Sequence, residues 1–207
     1  MNHFYTLAGL GALGAASGGA YLIHNSLSET SAPTLKDKLV KERYIVMGSS
    51  DSNWNTVLTK HKDSSIHSGK KFTGNITTVD DLKKKCEKSL SSSDSSLYDA
   101  VKLWCTVPKT VQDRLKDLGV ELLSMTDEAS NAQEQWTKLK DKYKAIKSGE
   151  GIKEFTVSEP EGEDAWKKLR DECKKYIAKD KWDSEYDYYL DKLTTWCSQK
   201  SPFLNGN

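Results

Sequence analysis

One short pattern occurs twice along this chain, and that recurrence limits the possible folds more than any other feature. The segment Thr34-Leu35-Lys36-Asp37-Lys38-Leu39 returns 76 residues later as Thr110-Val111-Gln112-Asp113-Arg114-Leu115. Tyr44 to Met47 faces Val120 to Leu123 at the same offset. Trp54 and Val57, with Lys60 and Lys62, match Trp136 and Leu139, with Lys142 and Lys144, at offset 82. Gly69 with Gly151 keeps 82, and Phe72-Thr73 with Phe155-Thr156 gives 83. Leu82 and Cys86 with Leu169 and Cys173 give 87, and Trp104-Cys105 with Trp196-Cys197 gives 92. The offset never falls, as when a second copy carries insertions between matched blocks. One unit over residues 34–108 is therefore expected to return over 110–202. Pro108 and Pro202 follow the Trp-Cys pairs, and proline cannot continue a helix, so each copy closes with a helix end. Duplication for stability alone accounts for the pattern equally well.

Within each copy the apolar residues fall at helical spacing. Leu35 and Leu39 suit a short helix ending near Arg43. Tyr44 to Met47 is β-prone but too short to assign to strand or helix. Trp54, Val57, Leu58 and His61 share one helical face. Thr78, ahead of Asp80 and Asp81, marks a helix start before Leu82, Cys86 and Leu90. Asp94 opens the next helix, carrying Leu97, Val101 and Trp104 or Cys105. In the second copy, residues 129–147 carry Trp136, Leu139, Tyr143 and Ile146. Residues 163–179 carry Trp166, Leu169, Cys173 and Ile177, and residues 183–198 carry Tyr186, Tyr189, Leu190, Leu193 and Cys197. Ser68-Gly69 and Ser148-Gly149 interrupt the pattern. The low-complexity run over 89–96 and the acidic run over 159–163 read as surface loops. Leu, Ile, Val and Phe make up only about a fifth of the chain, near the range where order fails. The 6 Trp and 9 Tyr restore buried area, because each aromatic removes a large apolar surface from water. The fold class predicted is mainly α: an N-terminal transmembrane or signal-anchor helix, then a helical bundle of two tandem repeats, with room only for very short strands.

Phe4 to Ile23 is a run of 20 residues without a charge, and about 20 apolar residues in a helix cross the hydrocarbon layer. Five glycines sit in it, at Gly9, Gly11, Gly14, Gly18 and Gly19, where small residues let membrane helices approach. The leading reading is an uncleaved anchor over 1–24, inserted through residues 4–23, with a Ser/Thr-rich linker over 25–33. A cleaved signal peptide competes, with Ser17 to Ala20 as cleavage residues but no Lys or Arg ahead of the apolar run. A buried glycine-rich segment is the third reading. Gly9-Leu10-Gly11 follows no strand, so a dinucleotide site is not expected. Lys36, Lys38, Lys41 and Arg43 after the run would place the rest of the chain in the cytoplasm by the positive-inside rule, and the cysteines argue the other way.

Cys86 with Cys105 and Cys173 with Cys197 place one pair in each copy, joining its last two helices. Three connectivities are open, and the duplication favours 86–105 and 173–197. Each such bond would close a loop worth on the order of 3 kcal/mol by the chain-entropy account and would imply an exported location. Buried reduced thiols are the alternative, and zinc lacks its usual close spacing. With Lys and Arg at 31 and Asp and Glu at 30, the basic excess of a nucleic-acid binder is missing. The four histidines, His3, His24, His61 and His67, form no HExxH, and GxSxG and GxxxxGK[ST] do not occur. No catalytic, cofactor-binding or metal residues are therefore expected, and no cofactor. Asn75-Ile76-Thr77 matches a glycosylation sequon, and the run from Trp182 to Tyr189 is either core or a sticky aromatic surface, with core favoured.

The glycine- and alanine-rich leader, the Trp54 and Trp136 blocks ending in Lys-x-Lys, the LKKKC and LRDEC segments and the two Trp-Cys endings together resemble the paralogous families of short, uncharacterised proteins in haemotropic mycoplasmas. The resemblance covers nearly the whole chain. It brings no activity, cofactor or catalytic residue with it. It implies a surface protein that varies between copies, with a domain outside the cell and a host surface protein as partner. The function expected is thus a membrane-anchored, surface-displayed helical repeat protein without catalytic activity, serving host contact or antigenic variation. The alternative is a scaffold with the same anchor facing the cytoplasm.

Overall fold

Threonine side chains fix where three of the helices begin. In a computed structural model, residues 32–126, 132–147, 149–157 and 164–205 are described. The helices run α1 (Leu35–Lys41), α2 (Trp54–Lys62), α3 (Val79–Leu90), α4 (Tyr98–Trp104), α5 (Val111–Asp117), α6 (Ala132–Lys144), α7 (Ala165–Ile177), α8 (Tyr186–Trp196) and α9 (Pro202–Asn205). Thr34, Thr78 and Thr110 each cap a helix, their hydroxyls accepting from the backbone N–H of Asp37, Asp81 and Asp113. At α1 and α3 the aspartate reaches back to the capping backbone, which satisfies two otherwise orphaned N–H groups. Those bonds hold the Asp37 and Asp81 carboxyls below their ordinary range, first through the threonine hydroxyls.

The fold is mainly helical, and among the described residues no segment forms a strand. Tyr44 to Met47 is extended but pairs at one point only, an antiparallel bridge between Val46 and Thr106. That bridge consists of two bonds, from Met47 N–H to the Cys105 carbonyl and from Val107 N–H to that of Ile45. Asp94 does not open an α-helix directly. Its carboxylate caps a 3-10 turn over Ser95–Leu97, and α4 follows from Tyr98. The expected anchor over 4–23 lies outside the described residues, as do the acidic run over 159–163 and the starts expected at 129 and 163. Among the described residues no helix is long and apolar enough to cross a membrane.

Two apolar clusters form the core. One gathers Leu35, Leu39, Trp54, Val57, Leu82, Val101 and Trp104. The other gathers Val111, Leu115, Trp136, Leu139, Leu169, Leu193 and Trp196. Both lie within one compact unit running from Ala32 onward. Several of the contacts that build them occur in both clusters. Trp54 Nε1–H donates to the Gly48 carbonyl at 2.8 Å, and Trp136 Nε1–H to that of Ser124 at 2.9 Å. Leu123 N–H reaches the Cys197 carbonyl as Met47 N–H reaches that of Cys105, and a bridge joins Leu122 to Ser198. His61 meets Trp104 edge-on at 4.9 Å, and Tyr143 meets Trp196 edge-on at 4.7 Å. Trp104 and Trp196 donate to the carbonyls of Lys70 and Glu150. That last pair differs by 80 in number, whereas the sequence match of Gly69 with Gly151 gives 82.

Candidate functional site

The four cysteines come together as two bonds, Cys86–Cys105 and Cys173–Cys197, with no free cysteine among the described residues. Each bond ties the helix before the last loop of its half to the end of the final helix, and all four residues are buried. His61 is also buried, and its Nε2 has no hydrogen-bond partner. Burial, helped by the Lys71 charge, lowers its imidazole below the ordinary value. It packs as an aromatic plate against Trp104 and Phe72, in the manner of Tyr143 against Trp196 and Phe155. Trp182, Tyr186 and Tyr189 are buried, so this run serves packing. Among the described residues no group of His, Cys, Asp and Glu could hold a metal ion.

The densest polar chemistry lies where residues of the first half meet residues of the second. Arg114, on α5, is only 4% exposed. Its guanidinium donates through Nη1 to the Arg43 carbonyl at 2.6 Å and through Nη2 to that of Glu42 at 2.7 Å. It also covers the Tyr44 ring, 3.6 Å from the centroid, a stacked arrangement that suits a desolvated guanidinium. Arg43 itself holds a left-handed backbone at φ 63°. The residue 76 positions later is Gly119, at φ 69°, where a helix end calls for that conformation. An arginine therefore bears a strain that glycine avoids, and its carbonyl becomes an acceptor for Arg114.

A loop between α7 and α8 closes the joint from the other side. Asp180 bridges to Thr110. Lys181 Nζ donates to the Thr106 carbonyl at 2.7 Å and to Thr106 Oγ1 at 2.8 Å. Trp182 enters the core of the first half. These last two residues have no counterparts. Leu35 N–H donates to Ser92 as Val111 N–H does to Lys179, an offset of 87 between the acceptors. Leu97 N–H donates to Asp94 as Tyr186 N–H does to Asp183, an offset of 89. Two extra residues lie between, and Lys181 and Trp182 fill that gap.

Burial of the Lys181 amine, reinforced by the Lys102 charge and opposed by Asp180, drives it down to about 7. Burial works most strongly against the charge of Lys102, but its bond to Asp187 and the charges of Tyr44, Asp187 and Asp99 together hold that amine above its ordinary value. The Lys102–Asp187 ion pair, at 2.9 Å, spans α4 and α8. A cavity of about 50 Å³ sits at this joint, with Tyr44, Lys102, Thr106, Arg114, Lys181 and Tyr186 in its wall. None of these residues stood out in the sequence as a site. The one signal available was the step in offset from 87 to 92 between the last two matched blocks, two residues of which fall on this loop.

No protein-family model, no curated protein and no solved structure matches the chain.

Proposed function

We propose that the protein is a membrane-anchored display protein. The uncharged opening over 4–23 sits in the lipid layer, and two copies of one helical unit form a non-catalytic domain outside the cell. That domain contacts a host surface protein or varies between paralogues, as in the haemotropic mycoplasma families the sequence resembles. The observation that carries this reading is one disulfide inside each core, Cys86–Cys105 and Cys173–Cys197. Bonds of this kind form and persist in oxidising compartments and are rare in the reducing cytosol. The paired tryptophan, cysteine and helix-cap contacts of the two halves support a duplicated unit. They also support a stable scaffold whose exposed side chains are free to change, because the apolar clusters carry the fold.

Surface proteolysis of intact cells tests the reading. Added protease is expected to remove the region after residue 33, and non-reduced peptide mass spectrometry is expected to find both bonds. Survival of the region on intact cells, with four alkylatable thiols, would instead assign a scaffold facing the cytoplasm.

A further inference from the structure

The charges around the joint cavity do not cancel. Asp187 is paired with Lys102 at 2.9 Å, Asp117 with Lys109 at 3.4 Å and Asp183 with Lys179 at 3.0 Å. Set aside, these leave Lys181, Arg114 and Lys70 against Asp99 in the cavity wall. Lys181 and Arg114 are 8% and 4% exposed. Lys181 has two acceptors, both on Thr106, and among the described residues no carboxylate within ion-pair distance. Arg114 spends Nη1 and Nη2 on carbonyls, and its buried Nε has no partner. The buried Nε2 of His67, another wall residue, has none either. Those two nitrogens are sealed within the protein, whereas the third N–H of the Lys181 ammonium is left beside the cavity and marks a place for an acceptor group.

We infer that the cavity receives a single carboxylate, with the Lys181 amine as its donor. The cavity, about 50 Å³, has room for one small polar group. Asp99 in the wall disfavours a dianion. The carboxylate is either a free small acid or the side chain or C-terminus of a protein partner. The inference does not depend on which way the domain faces. Binding favours the charged form of Lys181, so the complex takes up a proton. The other titratable groups at the cavity are Asp99 and Lys102 from α4, Arg114 and Asp117 from α5 with Lys109 just ahead of it, Tyr186 and Asp187 from α8, Tyr44, and His67 and Lys70 from the loop before α3. Asp180 and Asp183 lie on the same loop as Lys181.

Formate titrated into the full-length protein at constant ionic strength tests this, with the melting temperature and calorimetry as readouts. The expected result is a saturable rise with formate that chloride at equal concentration does not give. Proton uptake near one per formate is expected at pH 8. Lys181→Met is expected to weaken binding at least tenfold and abolish the proton uptake. A peptide ending in a free carboxylate that outcompetes formate, while its amide does not, assigns the protein source. Formate binding without such competition assigns a free acid. Equal effects of formate and chloride, or an unchanged response in a folded Lys181→Met protein, overturn the inference and leave water as the occupant.

Discussion

Two side chains at the residue scale set the molecule's response to pH. The Lys181 amine titrates near 7 in the fold and near its ordinary 10.5 when unfolded. Between those values the unfolded chain binds more protons, so stability rises as pH rises above 7, and below 7 the full penalty persists. From pH 7 to pH 9 the unfolding free energy is expected to climb by about 2 kcal/mol. Lys181→Met should remove that slope, as read by urea titrations at the two pH values. An equal slope in the variant would refute the assignment. His61 acts in a lower window. Its folded value lies below the usual 6.5 because of burial, so stability falls as pH drops through 6.5 and levels off beneath the folded value. His61→Phe deletes the unpartnered Nε2 and should flatten the fall between pH 7.5 and pH 5 in the same titrations.

Elements are held by chemistry that recurs in each half. Thr78 satisfies the start of α3 twice over, through Asp81 N–H and by sharing the Asp81 carboxylate. Thr78→Ala should cost about 1 kcal/mol, measured as a shift in the urea midpoint at constant slope. Each half also depends on its disulfide. Replacing Cys86 and Cys105 together by alanine should cost about 2–4 kcal/mol, with the loss seen in the melting temperature, and reducing agent should then affect only the Cys173–Cys197 bond. These features were legible in sequence, because a threonine three residues ahead of an aspartate and a cysteine at each helix end are local patterns. The extended run over 44–47 was not. Its side chains favour a strand, but its backbone finds partners only around Val46, Met47 and Val107, and sequence carries no mark of a missing neighbour.

At the scale of the whole molecule, Lys181 and Trp182 join Arg114 and the Lys102–Asp187 pair in coupling the halves. Trp182 belongs by sequence to the second half and by packing to the core of the first, while Lys181 anchors beside it on Thr106. Trp182→Ala should remove a largely buried indole at about 3–5 kcal/mol. It should also split a single thermal transition into two, resolved by calorimetry. One cooperative transition shifted as a whole would show that Arg114 and the Lys102–Asp187 pair couple the halves without it.

Period and spacing alone determined that this chain is helical, that a helix starts after Thr78 and which apolar faces are buried, because 3.6-residue periodicity and capping act over a few neighbours. The candidate site was decided by tertiary structure. Lys181 follows Asp180 in a charged loop and resembles any solvated lysine until Thr106, Lys102 and the buried walls surround it. Arg114 looks like a surface charge on a short helix until the carbonyls of Glu42 and Arg43 and the ring of Tyr44 close over it. Their unusual environment comes from residues about seventy positions away, and desolvation is a property of that assembled surrounding.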